Sequence, residues 1–239
     1  MTTCRRCDGF TLVELLVASG LATAVAAGAF TVLASVQGAF LAQPEAADVQ
    51  QRLRVAVDTL TRNLLMADLV LPYRVGIVDS DAAAGRYYRP DAISILSAPA
   101  PNVEQRLIDC YYLHADARSG TFQLRRYDGG LADFPVLDQI VALTFDYFGE
   151  PGGTAAAPID PATLVDGPWH PDAADPNRVD ADLLTVRRVR VRLRAQAASA
   201  FRGPAGPSFA LAGSAATPGR YVPDQEVQFD VALRNRRLE

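Results

Sequence analysis

The sequence predicts an α+β protein in which one long N-terminal helix packs on an antiparallel β-sheet. A charge-free segment of 22 residues, Leu15 to Val36, is long enough to form a membrane-spanning helix. Apolar residues then recur at helical spacing as far as Leu71, and an alternation of apolar and polar residues replaces this period after Pro72. The change of period indicates that a helical spine precedes a sheet domain.

The predicted spine has two halves with different surfaces. Residues 10–36 form the transmembrane half, whose charge-free part would be about 33 Å long at a rise of about 1.5 Å per residue. Residues 37–71 form an amphipathic half in which charged residues alternate with the apolar ones. Pro44 lies near the join, where it would either kink the helix or begin a second one.

Residues 72–239 are predicted to form a globular β-rich domain. Its candidate strands are Ala92–Ser97, Leu107–His114, Thr121–Tyr127, Gln139–Phe148, Val186–Ala195 and Glu226–Arg234. A Pro/Gly/Asp/Ala-rich segment, residues 149–182, separates the fourth strand from the fifth and is predicted to be a long exposed loop. A shorter loop, residues 203–223, precedes the last strand.

The net charge and the cysteine content exclude or disfavour several classes of function. The formal net charge is −4, so no global basic field favours nucleic acid as a partner. Cys4 and Cys7 precede the apolar segment, and Cys110 is the only other cysteine. If the short basic segment before the apolar residues is removed as a leader, the chain has no disulfide framework. The Cys4–Cys7 pair also lacks the second pair of ligands that a structural zinc site requires.

Glu14 is the only charged side chain between Phe10 and Val36. A bare carboxylate in the middle of a bilayer costs on the order of 3 kcal/mol, so Glu14 is expected to have a partner, or else to snorkel to the interface. The carboxylate also argues against an ordinary secretory signal, whose apolar core would be uncharged. The continuation of the apolar segment into an amphipathic helix argues against such a signal as well.

The segment GFTLVELLV, residues 9–17, resembles the processing and methylation motif of type IV prepilins and type II secretion pseudopilins. The resemblance implies that prepilin peptidase removes the leader, residues 1–9, by cutting between Gly9 and Phe10, and then N-methylates Phe10. It also implies that Glu14 pairs with the amino group of the mature first residue, in the same subunit or in a filament neighbour. Such an ion pair is strong where the dielectric constant is low.

The resemblance also implies a location and partners. The basic leader would stay in the cytoplasm, so the chain would cross the inner membrane once and carry its globular domain on the periplasmic or extracellular side before it enters a filament. Gly20, Ala24 and Gly28 recur every four residues and share a helix face that another helix could approach closely. The implied partners are therefore other minor and major pilins or pseudopilins.

Three later segments are similar to J/W-type minor pilins: residues 53–64, 186–195 and 231–236. This similarity favours a minor subunit, in the tip or initiation complex of a type IV pilus or a type II secretion pseudopilus. The absence of the C-terminal cysteine pair of many major pilins agrees with that interpretation. A major, fibre-forming pilin is the alternative.

Four arginines, Arg188, Arg190, Arg192 and Arg194, share one face of the predicted strand 186–195. They could bind DNA phosphates in an uptake apparatus or an acidic patch on another subunit. The favoured interpretation is that Glu226 and Asp230 of the last strand neutralise them across the sheet. Nucleic acid is accordingly the less favoured partner.

No enzymatic constellation is recognisable, because the sequence has no phosphate-binding loop, nucleophile elbow or metal-ligand pair. Cys110 and His114 would lie about 13 Å apart along a strand, which is beyond hydrogen-bond reach. The chain is therefore predicted to be a substrate of a peptidase and not an enzyme, with no cofactor. Acidic residues of the long loop are the only candidates for calcium, and their spacing does not match an EF-hand. They are Asp160, Asp166, Asp172, Asp175, Asp180 and Asp182.

Overall fold

The computed structural model describes residues 10–72, 88–97, 107–118, 120–130, 132–149, 157–164, 181–214 and 218–234. Within these residues a single α-helix, α1, packs on an eight-stranded antiparallel sheet, which confirms the predicted α+β class. The helix is Leu12–Leu65. The strands are β1 (Leu69–Leu71), β2 (Ala92–Ser97), β3 (Leu107–Asp116), β4 (Thr121–Tyr127), β5 (Asp133–Gly149), β6 (Ala157–Pro158), β7 (Val186–Ala195) and β8 (Gln225–Ala232).

The helix α1 is continuous over 54 residues and passes through Pro44. The alternative in which Pro44 begins a second helix is therefore wrong. Proline has no N–H and removes one intrahelical hydrogen bond, so packing must stabilise the helix on its C-terminal side. That packing comes from residues at spacings of three and four that are buried against the sheet: Val49, Leu53, Ala56, Leu60 and Leu64.

The helix ends at Leu65, six residues before the predicted end at Leu71. The backbone N–H of Met66 still bonds to carbonyls of the last turn, but the N–H of Asp68 donates to the Leu96 carbonyl at 2.8 Å. This hydrogen bond directs Leu69–Leu71 into β1 beside β2. A run of three buried apolar residues has no period of its own, so the helical spacing could be extended through it.

The strand order is β1-β2-β3-β4-β5-β7-β8, and β6 pairs with the end of β5. The bounds of β2, β4 and β7 match the prediction, whereas β5 begins earlier, at Asp133, and β8 ends at Ala232. The predicted loop 149–182 contains β6 and the 3-10 helix Pro161–Leu164. Its residues 150–156 and 165–180 lie outside the described residues.

A bulge around Gln139 lets β5 exchange its partner strand. The first half of β5 pairs with β4, and the second half, from Ile140 onward, pairs with β7. Gln139 has a φ of 60°, which costs a residue with a Cβ roughly 1–2 kcal/mol. Its carbonyl accepts the Gln196 N–H at 2.9 Å, and its buried Oε1 has no hydrogen-bond partner. The left-handed conformation thus connects the two halves of the sheet.

Replacing Gln139 by glycine should relieve this strain. We expect Gln139→Gly to leave the free energy of unfolding unchanged or to raise it by up to about 1 kcal/mol, because glycine adopts a positive φ without a steric penalty. The matched control Gln228→Gly, in β8, should lose about 0.5–1 kcal/mol through backbone entropy. Urea unfolding of the detergent-solubilised chain, followed by near-ultraviolet circular dichroism, compares the two. Equal losses would contradict the assigned strain.

Candidate assembly site on the N-terminal helix

The N-terminal half of α1 is exposed along its whole length. Every residue from Phe10 to Gln37 has an exposed side chain, and the helix is long and apolar enough to cross a membrane. The hydroxyl groups of this half donate to carbonyls of the same helix, at 3.0 Å for Ser19 and 2.7 Å for Thr23 and Thr31. A hydroxyl bonded in this way does not need water, so the segment is suited to lipid.

Glu14 forms a capping box with Thr11 at the start of α1. The Thr11 hydroxyl oxygen accepts the Glu14 N–H at 3.2 Å, and Glu14 Oε2 accepts the Thr11 N–H at 2.9 Å. The Thr11 hydroxyl also lies 2.9 Å from Oε2 and can donate to it. This role of Thr11 was not predicted, although the pattern Thr-x-x-Glu before an apolar run is the signal of a capping box. The carboxylate therefore has a partner within the subunit.

The small residues on this half have open space beside them. A Cβ built on Gly20 or Gly28 would meet nothing within 4 Å, and Ala24 between them is exposed. This helix face therefore contacts no other part of the described chain. Gly9, on the leader side of the predicted cleavage point, lies outside the described residues, and Phe10 is exposed.

The second half of α1, by contrast, is held to the sheet by polar contacts as well as by apolar packing. Asn63 Nδ2 donates to the hydroxyl of Tyr111 at 2.6 Å. Tyr111 is fully buried, and this burial is the main reason that its pKa is raised to about 12. Asn63 Nδ2 also lies 3.5 Å from the carboxylate of Asp109 in β3. Within the sheet, Asp109 forms an ion pair with Arg126 of β4 at 2.6 Å, and this hydrogen bond raises the pKa of Arg126.

A second polar contact fixes α1 immediately after Pro44. Glu45 Oε1 accepts the backbone N–H of Ala198 at 2.7 Å and lies 3.5 Å from Arg52 Nη2. Arg52 also donates to the carbonyl of Asp138 at 3.4 Å. From Glu45 onward the helix is therefore part of the globular domain, whereas almost all of the helix before it projects from that domain.

The four predicted arginines of β7 form ion pairs with carboxylates of the sheet and its loops. Arg190 binds Asp230 through two hydrogen bonds, at 2.8 and 3.1 Å, and this contact is the main cause of the lowered Asp230 pKa. Arg188 is 3.7 Å from the same carboxylate. Both guanidinium groups stack over the Phe148 ring, at 4.4 and 4.9 Å from its centroid. Asp230 thus has the neutralising role that the sequence predicted.

The partners of the other two arginines differ from the prediction. Arg192 pairs with Asp146 at 3.0 Å, and Arg194 pairs with Asp224 at 2.9 Å. Glu226 lies opposite Arg194 in the register, but Arg194 binds Asp224 instead. Asp224 lies in the loop before β8, so an argument from strand register alone could not find it. Each arginine of this face is already engaged by a carboxylate, which opposes its use as an anion site.

The acidic loop residues do not form a metal site within the described part of the chain. Asp160 instead accepts the Ala162 N–H at 3.0 Å. No group of three or more His, Cys, Asp or Glu side chains that could hold an ion occurs among the described residues. Four of the predicted acids, Asp166, Asp172, Asp175 and Asp180, lie outside these residues.

Residues 4–30 match the family model of the prokaryotic N-terminal methylation motif. The chain carries the N-terminal methylation motif of type IV pilin-like proteins. The motif implies processing by prepilin peptidase and assembly with other pilins.

Two further comparisons add little to the motif match. A type IV-like pilin from Thermus thermophilus is 14% identical, covers 78% of this chain and 96% of its own, and superposes with a TM-score of 0.39. A superposition this loose has no bearing on function. No curated protein matches the sequence.

Ionisation of Tyr111 should weaken the contact between helix and sheet at alkaline pH. The pKa of a tyrosine is ordinarily 10.0, and that of Tyr111 is about 12 in the folded protein. Between these values the unfolded chain loses a proton that the folded chain keeps. The free energy of unfolding should therefore fall as pH rises from about 10 to about 12. The Tyr111→Phe variant should show a shallower fall in urea unfolding measured across this range. Identical slopes in the two proteins would contradict the assignment.

Proposed function

We propose that this protein is a minor pilin or pseudopilin of the J/W type, in the tip or initiation complex of a type IV pilus or type II secretion pseudopilus. The observation that carries the proposal is the methylation motif at the start of a helix whose first half has no packing partner among the residues that the structure describes. The minor role is supported by the similarity of residues 53–64, 186–195 and 231–236 to J/W-type subunits, and by the lack of a C-terminal cysteine pair.

In this proposal the first half of the spine moves from the membrane into the filament. Residues 1–9 are the leader, and residues 10–36 hold the processed subunit in the inner membrane with residues 72–239 on the other side. The helix is then extracted into the filament, where the apolar surface leaves lipid and packs on neighbouring helices. Because lipid and neighbouring helices are both apolar surroundings, transfer from membrane to filament does not expose this surface to water.

Glu14 changes its partner during this transfer. In the subunit its carboxylate accepts hydrogen bonds from Thr11. In the filament we infer that it pairs with the amino group of N-methyl-Phe10, and that Gly20, Ala24 and Gly28 let the neighbouring helix approach closely. Thr11 is a neutral donor, whereas the amino group carries a positive charge. Opposite charges attract strongly in an apolar environment, so the exchange favours the aligned filament.

The role of the Glu14 charge can be separated from its role in capping. We expect Glu14→Gln and Glu14→Val to be cleaved by the peptidase but not incorporated into filaments, because the ion pair is lost. Glu14→Gln keeps a side-chain oxygen that can accept the Thr11 N–H. The control Thr11→Ala removes the cap, at a cost of about 1 kcal/mol, but keeps the charge, and should still assemble. Mass spectrometry of sheared filaments measures incorporation.

Normal entry of Glu14→Gln into filaments would contradict the proposed ion pair. Failure of Thr11→Ala and Glu14→Val, with normal entry of Glu14→Gln, would assign the defect to helix capping instead.

Quantitative peptide mass spectrometry on membranes and sheared filaments tests the proposed function. We expect N-methyl-Phe10 as the N-terminus, at low copy number beside a dominant second pilin. The same N-terminus at dominant copy number would make this subunit the fibre-forming pilin. An intact Met1, or a cut beyond Val36, would exclude processing as a prepilin.

A further inference from the structure

The strand β8 forms one edge of the sheet. It pairs with β7 on one side, and no strand among the described residues pairs with its other side. The pairing with β7 runs through all eight residues of β8 without a shift of register. The opposite edge of the sheet, β1, has only three residues, and all of them are buried. Of the two edges, β8 is therefore the one that is long and accessible.

The backbone of β8 has hydrogen-bonding groups that point away from the sheet. Just after β8, the N–H of Leu233 donates to the Arg187 carbonyl at 2.9 Å. Alternate residues of an antiparallel strand point to opposite sides, so every second residue before Leu233 also faces β7. The intervening residues direct their N–H and C=O groups outwards: Glu226, Gln228, Asp230 and Ala232. All four are exposed, and no hydrogen bond with another described residue engages these groups.

This edge lacks most of the features by which proteins prevent strand pairing, which are prolines, bulges and charged side chains. β8 contains no proline, and its ladder with β7 has no bulge. Of its two carboxylates, that of Asp230 is neutralised by Arg190 at 2.8 Å. Glu226 has no ion-pair partner among the described residues. The edge can therefore accept a further strand, and Glu226 selects which strand is suitable.

The two faces of β8 specify the side chains of such a strand. On the helix face, Val227 and Phe229 pack against the core but are only partly buried. Because no described strand lies beyond them, apolar residues of an added strand would complete their burial. On the other face, a basic residue opposite Glu226 would pair with it as the arginines of β7 pair with their carboxylates.

A second copy of this chain is less suitable than a different subunit. If two β8 strands paired antiparallel about Gln228, Glu226 of each copy would lie opposite Asp230 of the other. Like charges that face each other across a strand pair are destabilising. A symmetric pair of this kind would also close on itself and could not continue into a filament.

β8 is also close to the helix through which the subunit is proposed to assemble. Among the strands, β8 has the most extensive contact with α1. Val231 belongs to the same core as Leu53 and Leu60 of the helix. A neighbouring subunit that packs along α1 would therefore have this edge within its reach.

From these observations we propose that the outer edge of β8 binds an extended segment of a different pilin subunit, which joins the sheet as a further strand. The segment carries apolar residues beside Val227 and Phe229 and a basic residue opposite Glu226. Backbone hydrogen bonds supply the affinity, and the side chains supply the selectivity. This inference rests on the assembly with other pilins proposed above.

A proline at position 228 tests the inference. Gln228→Pro removes an N–H that points outwards and no hydrogen bond to β7, and edge strands tolerate proline in this orientation. The matched control Gln228→Thr keeps the N–H and suits a strand. In cells without the wild-type copy, we expect both variants to carry N-methyl-Phe10. Quantitative mass spectrometry of sheared filaments should show Gln228→Pro depleted about tenfold or more relative to Gln228→Thr, because one buried carbonyl of the partner is left without a donor.

Urea unfolding of the detergent-solubilised variants checks that the subunit itself is intact. The midpoints of Gln228→Pro and Gln228→Thr should agree. If the proline lowers the midpoint, Glu226→Lys and its control Glu226→Gln replace this pair, since both changes lie on an exposed side chain. Glu226→Lys should then be depleted from filaments more strongly than Glu226→Gln, because a lysine would repel the basic residue of the partner.

Three other results would overturn the inference. Equal incorporation within the pair of variants used would exclude strand addition at β8 and leave the proposed function intact. A wild-type chain without N-methyl-Phe10 would overturn the proposed function and this inference together. A dimer of the purified chain that Gln228→Pro abolishes would identify a second copy, and not a different subunit, as the partner of this edge.

Discussion

The structure depends on one continuous helix whose apolar surface is buried against the sheet in its second half and exposed in its first half. Beyond Pro44, α1 buries a stripe that includes Leu53, Leu60 and Leu64 against the sheet, and each such leucine contributes roughly 1.5–3 kcal/mol. Before Gly38 the helix is apolar on all sides and buries none of it. An apolar surface of this size is unfavourable in water, so the first half of the helix requires an apolar environment, such as a bilayer or neighbouring helices.

The charged groups follow the same division. In the globular domain the four arginines of β7 are neutralised within the subunit by Asp146, Asp224 and Asp230. In the projecting half the one carboxylate, Glu14, is bonded only to the first turn of its own helix. A group held by such local contacts can exchange its partner without disturbing the sheet. Charges with an assembly role are therefore best sought on the projecting half of the helix.

The join between the two halves is where the domain restrains the helix. Pro44 removes a hydrogen bond from α1, yet contacts lie on both sides of it: Glu45 with Ala198, and Gly38 with the segment around Gly219. Both contacts come from the region between β7 and β8. That region therefore determines the direction in which the projecting half emerges from the domain.

Local sequence determined the elements whose physical causes are local. The charge-free segment, the methylation motif and the strands β2, β4 and β7 could be recognised because apolar period and composition act over neighbouring residues. Tertiary structure alone decided the end of α1 at Leu65, the pairing of Arg194 with Asp224 and the exchange of strand partners at Gln139. These features depend on residues distant in sequence: Leu96 accepts the bond that starts β1, a loop supplies Asp224, and Gln196 holds the bulge. Local sequence patterns cannot predict contacts of this kind, because the contacts form only when residues distant in sequence come together in the folded sheet.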